Sequence, residues 1–182
     1  GIFVGGDTTA AIEKTYDDIL GKLGKKVAAL PEGEAPVCDC ISETIPAIRM
    51  ILSRGGRGLK TLKITNDALI SSFIKSREDA EAVPSPFTPD GIVYCKSEYI
   101  YLNPENSDNL VKEAEKKIEA YVAKRGHTPK VLLINHIGLV AVGDSAKNAQ
   151  IITDVFYDAL KVAFYAGSFG GAHPMTKRQI SF

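Results

Sequence analysis

Residues 131–145, with the sequence VLLINHIGLVAVGDS, decide the fold of this chain. Val131–Ile134 is a continuous apolar run, which is typical of a strand buried on both faces of a sheet. A second apolar run, Leu139–Val142, follows after four residues and predicts a second strand. The turn Gly143–Ser145 then leads into a helix that we expect to run from about residue 146 to residue 166. The segment therefore predicts a sheet that is covered by helices.

The rest of the chain predicts further strands and helices that alternate along the sequence. We expect strands over residues 2–4 and 59–65, and a hairpin in which Ile92–Cys95 and Tyr99–Leu102 are the two strands. The predicted helices begin at recognisable positions. One starts at Asp7 or Thr8, and the next has Pro46 in its first turn. The other two start at Asn66 or Asp67 and at Ser107 or Asp108. Alternating strands and helices predict an α/β fold, specifically a three-layer α/β/α sandwich with a mixed sheet. We expect residues 1–182 to form a single domain, and the proline-rich stretch 81–90 to be a stiff irregular connection.

The start of the chain is similar to its end. When the sequence is shifted by 137 residues, the stretch 1–8 aligns with the stretch 138–145, and the helices that follow keep their phase. A strand, a turn with Gly and Asp and an amphipathic helix form a frequent α/β unit, which is one explanation. An internal duplication is the other.

The composition excludes several classes of partner. The 182 residues include 22 Lys and Arg and 22 Asp and Glu, so the formal net charge is zero. A neutral chain is not typical of proteins that bind nucleic acid or anionic membranes through a basic surface. No apolar run approaches the ~20 residues that span a bilayer. Three cysteines, an odd number, favour a reducing cytoplasm over secretion.

Two glycine-containing turns and one loop are candidates for anion binding. The turns at Gly5–Thr8 and Gly143–Ser145 match no phosphate-binding pattern, and we expect Asp7 and Asp144 to cap helices there. Arg54–Lys60 carries three cations on a loop that contains three glycines. Such a loop either binds a sugar phosphate or ends a helix with solvated charges.

The cysteines and histidines do not form a recognised motif. Cys38 and Cys40 lack the second cysteine or histidine pair of a structural zinc site, so we expect free thiols. No pattern typical of a serine hydrolase or a zinc protease is present. His136 follows the apolar strand at residues 131–134, where α/β proteins expose functional groups. It is either a hydrogen-bonded structural residue or a ligand-binding one.

Three segments resemble the class II aldolase/adducin family. Residues 131–145 resemble the Asn-His-Gly, apolar run and Gly-Asp/Thr element that closes the metal site of that family. Residues 1–8 resemble the same element without its histidine. Residues 85–96, SPFTPDGIVYCK, are similar to a Thr-Pro-Asp…Lys stretch of longer proteins related to rhamnulose-1-phosphate aldolase/dehydrogenase fusions.

The resemblance implies that the chain is the C-terminal part of a longer class II aldolase-like protein of cytoplasmic sugar or sugar-phosphate metabolism. The parent protein would use zinc or another divalent metal, and of its ligands only His136 has a match here. The catalytic acid and the His-x-His metal pair have none, so we expect the fragment to bind no cofactor and to be inactive alone. Its expected partners are the upstream aldolase domain or further copies of itself. The alternative is a non-catalytic binding or assembly domain.

A ligand, if one binds, is expected at the carboxyl ends of the strands. Asn135 and His136 follow the strand at residues 131–134, while Asp90 and Lys96 flank the predicted strand at residues 92–95. These four residues are the candidate site for a polyol or a sugar phosphate. They could equally be a structural cluster.

Overall fold

A four-stranded mixed sheet is the centre of the fold in the computed structural model, which describes residues 2–35, 38–81, 83, 86–103 and 107–181. Its strands are β1 (Thr61–Thr65), β2 (Ile100–Leu102), β3 (Val131–Ile134) and β4 (Gly138–Gly143), in the order β1-β4-β3-β2. β4 is antiparallel to both β1 and β3, and β2 is parallel to β3. The amino ends of β1, β2 and β3 and the carboxyl end of β4 therefore meet at one edge of the sheet.

Eight helices are described, and most of them cover the two faces of this sheet. They are α1 (Thr9–Gly24), α2 (Ile41–Ser53), α3 (Ala68–Ile74), α4 (Arg77–Glu81), α5 (Pro89–Cys95), α6 (Ser107–Arg125), α7 (Ala146–Gly167) and α8 (Lys177–Ile180). Within the described ranges, no helix combines the length and the apolarity that a membrane span requires.

The sheet is buried on both faces, as the apolar run in β3 predicted. Leu132 and Ile134 face one apolar cluster, to which α2 and α6 contribute. Val131 and Leu133 face a second cluster, to which α3 and α7 contribute. Side chains alternate between the faces of a strand, so a strand with a cluster on each face has no polar positions. The predicted α/β fold, with three layers and a mixed sheet, is confirmed.

The helix starts follow the capping rules in most places. Ser145 Oγ accepts a hydrogen bond from Asn148 N at 3.1 Å and begins α7. Asp67 Oδ1 accepts one from Ile70 N at 2.8 Å and begins α3. The prediction for Pro46 is wrong, because α2 begins earlier and the proline lies inside the helix.

The predicted hairpin at residues 92–102 is wrong. Residues 92–95 are the second half of α5, whose N-cap Thr88 accepts a hydrogen bond from Gly91 N at 3.3 Å, with Pro89 as the first helical residue. β2 pairs instead with β3, in parallel. The expected irregular connection at 81–90 is thus shorter, and Ala82, Pro84 and Ser85 within it lie outside the described residues.

Residues 2–4 form no strand, which corrects the prediction for the start of the chain. Phe3 is 98% exposed, and α1 has no buried residue. The two similar stretches, 1–8 and 138–145, therefore differ in structure, but each ends in a residue that caps the following helix, α1 or α7. Thr8 Oγ1 accepts a hydrogen bond from Ala11 N at 3.2 Å, as Ser145 does from Asn148.

Candidate functional site

The turn between β3 and β4 presents His136 at the carboxyl end of β3. Its neighbour Asn135 is held in place, since its Nδ2 donates to Asn103 Oδ1 at 2.9 Å and to Lys75 O at 3.2 Å. His136 has a left-handed backbone with φ of 63°, and its carbonyl accepts a hydrogen bond from Cys38 N at 2.8 Å. Its imidazole is exposed. The backbone of His136 therefore belongs to the scaffold, while its side chain is accessible.

Ile137 and Gly138 explain why the turn has this shape. Ile137, the residue inserted relative to the aldolase-like motif, is fully buried in the cluster shared with α2 and α6. Gly138 has φ of 120°, and a Cβ there would lie 2.4 Å from Thr65 O. The close approach of the chain after β1 thus requires glycine at this position.

Asp90 and Lys96 lie at a groove between α5 and α7. The groove has a volume of about 290 Å³, and its walls include Phe87, Phe156 and Val162. Asp90 is in the first turn of α5 and is exposed. Lys96 directly follows α5, with a left-handed backbone (φ 66°). The structure brings these two predicted site residues together.

The four predicted site residues do not share one pocket. Lys96 precedes β2, whereas Asn135 and His136 follow β3. Because β2 and β3 are parallel, the two pairs lie at opposite ends of the sheet. Ligand binding by either pair stays a prediction.

His136 does not belong to a metal site formed by the described residues. In that part of the chain, no group of three or more His, Cys, Asp or Glu side chains is placed to hold a metal ion. Zinc sites use three or four such ligands. The described residues therefore supply no complete zinc site of their own, and a role of His136 as a metal ligand in the longer protein stays a prediction.

The cysteines differ from the prediction. Cys38 and Cys40 are joined by a disulfide, where free thiols were expected. Cys95 is free and buried, and its burial raises the pKa of the thiol to about 12. A thiol with such a pKa is a poor nucleophile, so Cys95 is a packing residue.

Asp144 has a different role from the one predicted. It does not cap α7, because Ser145 does. Its Oδ1 accepts a hydrogen bond from Lys60 Nζ at 2.6 Å, and its Oδ2 accepts one from Lys130 Nζ at 3.2 Å. The hydrogen bond from Lys60, and then the one from Lys130, lowers the pKa of the Asp144 carboxyl.

The arginines of the Arg54–Lys60 loop pair with α6. Arg54 contacts Glu115, and Arg57 Nη2 lies 2.9 Å from Glu119 Oε1. The two arginines of the loop are therefore paired with α6 rather than solvated, and phosphate binding by the loop stays a prediction. Sequence reasoning missed that two lysines, Lys60 and Lys130, each stand directly before a strand. Parallel strand starts share one end of a sheet, and that signal would have placed them together.

Comparison with solved structures gives several partial similarities. No protein-family model matches the sequence, and no curated protein matches it. One similar structure is YgbL of Klebsiella pneumoniae, a candidate aldolase/epimerase/decarboxylase, with 15% identity, a TM-score of 0.46, and coverage of 63% of this chain and 52% of that one.

The second is an aldolase II superfamily protein of Pseudomonas syringae, with 16% identity, a TM-score of 0.45, and coverage of 66% of this chain and 45% of that one. This chain therefore spans about half the length of both structures. A likeness at this level concerns part of the fold and assigns no activity.

Proposed function

We propose that this chain is an α/β domain of a class II aldolase-like protein that acts on sugars or sugar phosphates in the cytoplasm. The proposal rests on the motif at residues 131–145. In the structure this motif is a strand, a turn, a second strand and a capped helix, and the His136 side chain is exposed in the turn. An accessible imidazole at the end of a buried strand is a group that can contact a ligand or complete a site held by other segments.

We also propose that the 182-residue chain does not cleave a ketose 1-phosphate by itself. Metal-assisted cleavage of a carbon–carbon bond requires a metal held by several ligands and an acid/base group. In the resemblance these groups stand upstream of the segments that match. They would come from the rest of the longer protein.

The test compares the purified chain with the natural gene product that contains it, in a retro-aldol assay on ketose 1-phosphates with and without a chelator. We expect turnover by the longer protein that the chelator abolishes, and none by the chain. In the longer protein, His136→Ala should lower turnover, whereas the matched control His173→Ala, also an exposed histidine, should leave it unchanged. Chelator-sensitive turnover by the chain alone would refute the claim of inactivity. A longer protein without any aldol activity would refute the proposal itself.

One observation favours the second function, a non-catalytic assembly domain. α1 places Ile12, Ile19 and Leu20 on one face, and yet none of its residues is buried. An amphipathic helix of 16 residues gains most of its stability from packing of its apolar face. A face that finds no burying partner among the described residues is suited to the upstream domain or to a second copy.

Sedimentation of the chain alone, and its co-purification with the upstream domain, distinguish the two functions. If α1 mediates assembly, Leu20→Glu should abolish association, whereas Lys14→Glu on the opposite side of the helix should not. A chain that is monomeric and does not bind the upstream domain would contradict the assembly function.

A further inference from the structure

A basic cleft lies at the amino ends of β1, β2 and β3, away from the turn that carries His136. It has a volume of about 300 Å³. We call it the basic cleft and define it by six of its lining residues: Arg57, Lys60, Lys96, His127, Thr128 and Lys130. Three of these are lysines, and each precedes a different strand of the sheet, so that the sheet itself brings them to one place.

The basic cleft has an excess of positive charge. Of the described residues that line it, none is acidic and four are cationic. The carboxylates that contact these cations are Glu119, paired with Arg57, and Asp144, shared by Lys60 and Lys130. Two positive charges therefore remain in a concave site, in a chain whose formal net charge is zero. A cleft with one sign of charge concentrates ions of the other sign.

Lys60 and Arg57 are largely desolvated cations of the cleft, and each is paired with a carboxylate. Lys60 is only 8% exposed, and its ammonium contacts Asp144. The Arg57 side chain is 13% exposed, and its Nε is buried without a hydrogen-bond partner among the described residues. Arg57 Nη2 donates to Ile51 O at 2.6 Å and to Glu119 Oε1 at 2.9 Å, so the guanidinium is fixed behind the cleft rather than available as a direct contact.

Lys96 and Lys130 are the cations best placed to contact a ligand. For Lys96 no ion pair or hydrogen bond of the ammonium is found within the described part of the chain, and the Lys130 ammonium, which has three N–H donors, donates one hydrogen bond, to Asp144 at 3.2 Å. Thr128 contributes a hydroxyl, and Gly126 turns the chain after α6 with φ of 73°. Ammonium groups with a hydroxyl beside them are a typical set of donors for phosphate oxygens.

We propose that the basic cleft binds the phosphate group of a small phosphorylated molecule, with Lys96 and Lys130 as its direct contacts and Arg57 and Lys60 as the fixed charges behind them. The cleft is at the small end of the size range of ligand pockets, which suits a phosphate monoester of a small metabolite. The inference goes beyond the aldolase-like function, because it uses no residue of the β3–β4 turn and no catalytic activity.

Amide NMR of the isotope-labelled chain tests the proposal directly. Inorganic phosphate, glucose 6-phosphate, glucose and sodium chloride are titrated at matched ionic strength. We expect saturable shifts of the Gly126, Thr128 and Lys130 amides with the two phosphates and none with glucose or chloride. Tighter binding of glucose 6-phosphate would assign the cleft to phosphorylated metabolites, and equal binding would assign it to free phosphate.

Three variants locate the site. Lys96→Gln and Lys130→Gln should each weaken phosphate binding by about tenfold or more, as loss of a charged hydrogen bond predicts. Lys14→Gln on α1 removes the same charge outside the cleft and should change binding by less than about twofold. Because Lys96 has no structural ion pair, its variant should unfold at the same temperature as the natural chain. Absence of a saturable shift, an equal response to chloride, or equal weakening by Lys14→Gln would each overturn the proposal.

Discussion

At the residue scale, the turn between β3 and β4 is fixed by side chains that are small or buried, and its accessible group is His136. Ile137 fills the core and Gly138 allows the close approach of Thr65 and Asn66. The side chain of His136 is exposed, so we expect that it can be replaced without disturbing the packing of the turn. The exposed His136 and the fully buried Ile137 are thus adjacent along the chain.

Gly138→Ala should destabilise the chain strongly. The added Cβ would lie 2.4 Å from Thr65 O and 2.8 Å from Asn66 Cβ, and the backbone φ of 120° disfavours any side chain. We expect the free energy of unfolding to fall by about 3 kcal/mol or more, measured by urea denaturation.

The matched control is Gly21→Ala, in the interior of the exposed helix α1. A Cβ at Gly21 meets nothing within 4 Å, and alanine is the better helix former. Gly21→Ala should therefore leave the stability of the domain unchanged or slightly raise it. Equal stability of the two variants would show that the turn is not constrained as described.

At the element scale, α1 is separate from the cooperative core. None of its residues is buried, whereas α2, α6 and α7 each bury several large side chains. A chain that begins at Lys25 should thus keep the melting temperature of the full chain within about 2 °C, by circular dichroism.

The control for this truncation is a single change in α7. Leu160→Ala removes a fully buried side chain from the cluster that α7 shares with the sheet. It should lower the free energy of unfolding by about 2–5 kcal/mol. A truncated chain that melts as low as Leu160→Ala would mean that α1 packs on the core in solution.

The elements that the sequence predicted correctly are those whose signals are local. β3, β4, α6 and α7 follow from apolar runs, from a 3.6-residue period and from caps such as Ser145. Residues 92–95 were predicted as a strand because four largely apolar residues fit either structure. The preceding Thr88-Pro89-Asp90 is an N-cap, a first-turn proline and a first-turn acid, and this signal for a helix was available.

The candidate site was less predictable because its residues are remote in sequence. Nothing near Asp144 indicates that Lys60 approaches it, since the contact depends on β1 pairing with β4. In the same way, Lys96 follows the apolar residues 92–95 and His136 follows the apolar run at residues 131–134. In the sequence these two runs looked equivalent. The parallel pairing of β2 with β3 places them at opposite ends of the sheet.

At the scale of the whole molecule, Asp144 links the loop before β1 to the start of β3 and should shape the acid stability of the chain. Its folded pKa is lowered by Lys60 and Lys130. The stability it contributes is therefore complete above the ordinary pKa of an aspartate and is lost as the pH falls through the lower, folded pKa.

Asp144→Asn should lower the free energy of unfolding at pH 7 by about 1 kcal/mol, since the carboxylate is largely exposed but its partner Lys60 is buried. The difference from the natural chain should shrink as the pH falls below about 4, because Asp144 is then protonated first in the unfolded chain and, at still lower pH, in the folded one. Urea denaturation at a series of pH values measures it. Asp17→Asn on α1 serves as the control, and a pH-independent deficit in Asp144→Asn would contradict the ion-pair account.

The strand order β1-β4-β3-β2 also has a consequence for how the chain reaches its native state. β3 and β4 are joined by a turn of three residues, whereas β1 and β2 reach their partners across long stretches of chain. Closing a long loop costs entropy that a short turn does not. The central hairpin with α7 behind it is therefore the expected folding nucleus, and the outer strands join it later. Substitutions in β3 or β4 should slow folding, while equally destabilising ones in β1 should mainly speed unfolding.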